Sequence, residues 1–225
     1  FDDLNSINSE IRKEDHVKLI QKWINENPYG YGNGWEPYPL SLRIVNWIKW
    51  SLSGNEFNKE WLNSLANQTD YLNNSLEYHL LGNHLFANAK ALIFSGLFLD
   101  NALSDKWYSK GLAIFNDQLK EQLMNDGGHF ELSPMYHSIF LEDLLDILNI
   151  HKAYNYKFPE DLENQIKCML FWLDTMTHPD GDIAFFNDSV TGISSTFDEL
   201  KEYANNLKIL YKSELEHFVH LKDTG

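Results

Sequence analysis

The chain has 225 residues, of which 43% are hydrophobic and 23% charged, the mix of a globular protein with enough chain for one large core or two small ones. Its 18 Lys and Arg against 33 Asp and Glu give a net charge of −15, and no basic run exists to neutralise phosphates. That excludes general binding to nucleic acid or to an anionic membrane surface, though not a local pocket for one acidic sugar. No apolar run reaches the roughly 18 uninterrupted residues of a membrane span. Cys168 is alone, so a disulfide framework is impossible, and a buried thiol is expected.

In chain order, Asp15 is placed to cap a first helix whose apolar positions are Val17, Ile20, Trp23 and Ile24. "NENPYGYGNGWEPYP" follows as a loop, then "LSLRIVNWIKWSL" and "NKEWLNSLANQTDYLNNSLEYHL" as helical stretches. Leu85, Phe86, Ala89, Leu92, Ile93, Gly96 and Leu97 recur at helical spacing, while Phe94, Phe98 and Leu99 make the opposite face apolar too. A helix apolar all round is an inner helix. Ser104 caps the next, which runs to about Met124 and is broken by "NDGGHFEL". Ser133-Pro134 reads as N-cap and first residue of a helix reaching about Tyr154. Pro159 starts another, with Leu162, Ile166, Met169, Leu170 and Leu173 on one face. "HPDGDIAFFNDSVTGISS" is a long loop in which "DIAFF" is the one candidate strand. Thr196 with Glu199 forms a capping box before Leu200, Tyr203, Ala204, Leu207 and Tyr211. The expected fold class is all-α, built from antiparallel helix pairs.

The irregular loops around Trp35, Asn83, Glu131 and Asp182 recur about every 48 to 50 residues, with roughly one helix pair in each gap. In an up-down array every second loop lies at the same end, so these loops should share a rim. They carry most of the unusual polar and aromatic residues. Gly82-Asn83-His84 is on its own either a helix cap or a site fixed by the apolar helix behind it. Tyr136 and His137 fall in the first turn of the helix begun by Pro134, where the positive end of the helix dipole would ease ionisation of a tyrosine hydroxyl. A tyrosine so placed can take a proton and return it. Arg43 interrupts an apolar helix start and needs a carboxylate, either Glu36 or another protein acid, or a substrate carboxylate gripped bidentately. Glu131 and Asp182 could supply the carboxylate pair of a glycoside hydrolase. His79 and His84, five residues apart, have the wrong spacing for two ligands on one helical face, and no metal or cofactor is expected.

"WEPYPLSLRIVNWI", "GNHLFANAKALIFSGLFL" and "DGGHFELSPMYHSIFLEDLLD", in this order and spacing, resemble the helical domain of the heparinase II/III-like polysaccharide lyases. The resemblance runs from about Tyr29 to Ser194. It implies an incomplete α/α toroid over residues 1–225, with N-terminal helices in 1–28, motif-bearing helix pairs in 29–194, and C-terminal helices in 195–225 leading to a β-sandwich that is missing here and would pack on the toroid. The chain, which opens on Phe1 without a signal peptide, then reads as a fragment of a longer protein. The implied activity is β-elimination beside a uronic acid in an acidic polysaccharide, in a periplasmic or exported setting. By this resemblance Asn83 neutralises the uronate carboxylate and Tyr136 transfers the proton. His84 and His137 match motif positions as further catalytic candidates. Arg43, Trp35, Glu36, Tyr38, His129, Glu131 and Asn187 are the candidate substrate contacts. The rival expectations are a non-catalytic glycan-binding or capsule- or lipopolysaccharide-assembly component, and the toroid hydrolase.

Overall fold

The computed structural model describes residues 1–158, 161–213 and 217–224. Among these are eight α-helices: α1 (Lys13–Glu26), α2 (Pro37–Leu52), α3 (Lys59–Asn74), α4 (Gly82–Phe98), α5 (Ser104–Gln122), α6 (Pro134–Ala153), α7 (Leu162–Thr175) and α8 (Phe197–Asn206). The all-α expectation holds. "DIAFF" makes no strand among the described residues; Ile183 forms one isolated antiparallel bridge with Thr177. The chain divides into two compact units, Phe1–Asn116 and Asp117–Gly225, with α5 carrying the chain from the first into the second. No helix of the described residues is long and apolar enough to cross a membrane.

In the first unit, side-chain pairs fix the helix directions. Arg43 near the start of α2 meets Gln68 late in α3, and Trp50 late in α2 meets Trp61 early in α3, so the two run antiparallel. Phe57, ahead of α3, meets Phe98 at the end of α4, which reverses direction again. α2 and α4 are therefore parallel, and Ser41 of α2 accepts from Asn88 of α4 near both N-termini. α4 is the inner helix its sequence implies: Leu85 through Ser95 are all buried. It is approached closely by α5, because Gly96 and Gly111 remove the side chains that would hold them apart. A methyl on Gly96 would lie 2.6 Å from the Tyr108 backbone nitrogen, and one on Gly111 would lie 2.9 Å from the Ala89 carbonyl oxygen.

In the second unit, His137 early in α6 stacks on Trp172 late in α7, and Lys152 late in α6 reaches Glu163 early in α7, another antiparallel pair. Glu142, Asp146 and Lys152 along α6 bond in order to Ser195, Tyr203 and the Leu207 carbonyl, so α8 runs parallel to α6. The Ser133 cap of α6 and the Thr196–Glu199 capping box of α8 both form. Asp15 is no cap: the 3-10 turn Ser9–Arg12 runs directly into α1, which leaves Asp15 within the first helical turn. The expected helix start at Pro159 lies outside the described residues. Cys168 is exposed rather than buried, on the solvent side of α7, with its backbone against Gly127. Asp126 gathers the backbone N–H groups of Gly128, Asp223 and Thr224, fastening the chain's last described segment to the "DGG" turn.

Candidate active site

α4 begins on a strained turn. Leu81, just before it, has φ 56 and ψ −154, a region that only glycine occupies freely and that costs other residues about 1–3 kcal/mol. Gly82 follows with φ 53. The turn is held by the Glu77 carbonyl, which accepts from the Leu80 and Leu81 N–H groups at 3.0 and 3.2 Å. The effect is to aim Asn83 and His84 from the first turn of a helix whose remainder is locked in the core.

Asn83 is not the cap of this helix: Leu81 occupies the N-cap position, and no side chain there bonds the backbone. Asn83 is half-buried and its amide makes no hydrogen bond among the described residues. His84 is held on two sides. Its Nδ1 lies 3.2 Å from Glu77 Oε1, and its ring packs against Tyr38 of α2 with centroids 4.4 Å apart. This contact brings the loops before α2 and α4 together, as the loop spacing implies for this unit. Glu77 is buried, and its second oxygen accepts from Asn88 Nδ2 at 3.1 Å. Asn88 Oδ1 in turn accepts from the Glu77 backbone N–H at 2.9 Å.

The other expected contacts of this unit fare differently. Arg43 is 4% exposed and pairs with no acid among the described residues. Its Nε donates to Gln68 Oε1 at 2.7 Å and Nη1 to the Gly34 carbonyl at 2.6 Å, with the guanidinium 3.8 Å from the Trp23 ring centre. Burial brings its pKa down to about 9. Its Nη2 is buried with no hydrogen-bond partner among the described residues, so the protein anchors the guanidinium without using all its donors; Glu36 is not the partner, and at 4% exposure the expected substrate contact is corrected to a mainly structural role. Glu36 stays exposed at the N-cap of α2. Trp35 is also corrected: its ring is enclosed by Trp23, Tyr29 and Tyr71, at centroid distances of 5.6, 5.1 and 5.2 Å. At 4% exposure it still lines a cleft of about 520 Å³ together with Tyr29, Asn27, Asn63 and Asn67. Tyr29, not Trp35, offers an exposed ring there.

In the second unit, Ser133 caps α6 by accepting from the Tyr136 N–H at 3.4 Å, and its hydroxyl meets that of Ser189 at 2.9 Å. Asn187, at φ 38, donates to the Glu131 carbonyl at 3.1 Å. The Glu131 and Asp182 loops of this unit thus meet, and Asn187 is spent on joining them. Tyr136 is half-buried, and its hydroxyl has no hydrogen bond among the described residues. Glu131 is half-buried; desolvation, then the charge of Asp188, push its carboxyl up.

His137 and His129 do not reach the surface. His137 is 0% exposed, donates from Nε2 to the Met169 carbonyl at 3.0 Å and stacks on Trp172. His129 is 1% exposed and donates from Nε2 to Gln122 Oε1 at 3.1 Å. Burial brings them down to about 3 and about 4 respectively, so both are neutral core groups. A catalytic His137 and a substrate-binding His129 are corrected accordingly: one residue on from Tyr136 the helix has turned by about 100°, which carries His137 inward.

Glu77 and Gln68 escaped sequence reasoning. Glu77 lies in a turn, where no periodicity relates it to His84. Asn88 did carry a signal, since an amide inside an otherwise apolar inner helix requires partners.

The fold and these helix starts define a class: an all-α module of helix pairs that presents polar residues from the first turns of buried helices. The chain belongs to the Heparinase II/III N-terminus family, whose sequence model matches residues 6–215. The heparin-sulfate lyase of Pedobacter heparinus is 31% identical over 188 residues, 77% of this chain and 28% of that protein. The heparin-sulfate lyase of Bacteroides stercoris is 28% identical over 188 residues, 80% of this chain and 28% of that one. The chain therefore spans about 28% of the length of these curated relatives. The crystal structure of heparinase III superposes with a TM-score of 0.72 at 24% identity, covering 89% of this chain and 33% of that one. This likeness fixes the fold as that of the incomplete α/α toroid. A heparan sulfate lyase from Pedobacter heparinus gives a TM-score of 0.59 at 27% identity, covering 77% of this chain and 29% of that one.

Proposed function

We propose that this chain is the helical module of a polysaccharide lyase that cleaves a uronic-acid-containing glycan by β-elimination. Family membership and the names of its relatives support the reaction class. The observation that carries the assignment to residues is the unspent Asn83 amide, held half-buried at the head of a rigid inner helix. A half-buried amide that bonds no other described residue is available for a ligand oxygen.

The proton at C5 of a uronate is weakly acidic because its removal leaves negative charge beside a carboxylate. Asn83 donates to that carboxylate as the charge accumulates, and such a donor is worth more in the transition state than in the ground state. The Tyr136 oxygen, acting as the base, takes the C5 proton. The freed electron pair forms the C4–C5 double bond, the C4–O bond breaks, and the same hydroxyl returns the proton to the departing oxygen. The net charge of −15 favours a sparsely charged uronate glycan over a densely sulfated one.

The test is the full-length protein on a panel of uronate polysaccharides, read by ultraviolet absorbance of the unsaturated product. Asn83→Ala and Tyr136→Phe should each lower kcat by about a hundredfold or more. Saturated reducing ends without the ultraviolet signal would mean hydrolysis instead, and oligosaccharide binding without turnover would mean a non-catalytic module. Either outcome, or full activity of Tyr136→Phe, would overturn the mechanism.

A further inference from the structure

Every polar group of Glu77 is engaged around the strained turn: its N–H with Asn88, its carbonyl with Leu80 and Leu81, and its carboxylate with both Asn88 and His84. A carboxylate is only an acceptor, so the His84 nitrogen that faces it must carry the proton. That nitrogen is Nδ1. With Nδ1 protonated, Nε2 of the neutral ring is a bare acceptor, and it makes no hydrogen bond among the described residues. Tyr38, packed on the ring, limits its rotation. Asn88 limits the carboxylate, and is itself fixed through Ser41, whose hydroxyl donates to the Pro37 carbonyl at 2.7 Å. The result is a chain of contacts from α2 through α4 to one imidazole, with 36% of the His84 side chain left open to solvent beside Asn83.

We propose that Glu77 is the positioning residue of the site, holding His84 in the Nδ1–H tautomer with Nε2 directed at the substrate. The arrangement is the one by which a buried carboxylate orients a catalytic imidazole: the acid sets which nitrogen is free and stabilises the ring if it takes a proton. The tautomer follows from the geometry alone, and its catalytic consequence rests on the lyase reading.

Two measurements on the full-length protein test it. The first is the ring nitrogen-15 spectrum of histidine-labelled protein, with the His84 signals assigned by their loss in His84→Gln. Wild type should show a protonated Nδ1 and a bare Nε2. In Glu77→Gln, where one carbonyl oxygen replaces two carboxylate oxygens shared by His84 and Asn88, that preference should be lost; an unchanged tautomer would overturn the proposal. The second is kinetic. Glu77→Gln should lower kcat about 10- to 100-fold with KM within about twofold. The double variant Glu77→Gln/His84→Gln should be no slower than His84→Gln, because one residue acts through the other. Unchanged kcat, or losses that add in the double variant, would overturn it. If wild type makes no unsaturated product, the lyase reading falls, and the ring spectra still decide the role of Glu77. Should Glu77→Gln fail to fold, Glu77→Asp, which withdraws the carboxylate by one methylene, serves for both measurements.

Discussion

Arg43 illustrates what a residue type reveals and what it withholds. An arginine in "LSLRIVNW" must be buried, and a buried guanidinium needs acceptors. That much is legible. Its partners are not, because Gln68 lies on another helix and the Gly34 carbonyl belongs to a turn of the backbone. The planar fork and the Trp23 stack also make the residue specific. Arg43→Lys should destabilise the protein by about 2–4 kcal/mol, since an ammonium cannot stack as a plane or reach both acceptors. Urea unfolding would show this as a lowered midpoint at unchanged slope. The same limit applied to His137 and His129. Both sit in polar-looking motifs, and both prove to be core, because the motif records the chain's order and not which side of a helix faces inward.

At the scale of elements, local chemistry was readable where it is self-contained. Ser133-Pro134 and Thr196–Glu199 start α6 and α8 as their side chains dictate, since a cap involves only its own first turn. Asp15 failed because the preceding 3-10 turn carries the chain into helix earlier, and "DIAFF" failed because a strand needs a neighbour and Ile183 finds only Thr177. α4 is the clearest case. Its apolar run announces burial, but the purpose of its small residues emerges only when α5 is placed against it. Gly96→Ala would set a methyl among Ser104 and Tyr108 atoms less than 3 Å away, most of them backbone. The helices must separate, and the expected cost is about 1–3 kcal/mol, measurable by urea unfolding. The strained turn at Leu81 belongs to this scale too: the cost of its backbone is met by the packing of α4, which keeps Asn83 and His84 at a fixed height above the core.

For the molecule as a whole, the buried histidines decide how it responds to acid. His129 and His137 are held down to about 4 and about 3, against an ordinary 6.5, mainly by burial, and His151 is shifted the same way. Below pH 6.5 the unfolded chain therefore binds protons that the folded chain refuses. Stability should fall as pH drops from about 6.5 toward 4, by on the order of 1 kcal/mol per pH unit for each of these two histidines. Carboxylates shifted downward, among them Asp3 at about 2, hold their contribution through this window and lose it only below the ordinary carboxylate range. Unfolding free energy measured against pH would check this, and His137→Gln should flatten the slope.

The sequence by itself determined the helical class, the inner helix, two of the caps and the family. These follow from periodicity, from the chemistry of single turns, and from motifs whose order survives in one dimension. Tertiary structure alone decided that Arg43 and Trp35 belong to the core, that His84 meets Glu77, and that Asn83 bonds no other described residue. Each of these depends on which side chains from separate helices come within about 3 Å of one another, a distance that hydrogen bonding requires and that sequence spacing does not encode.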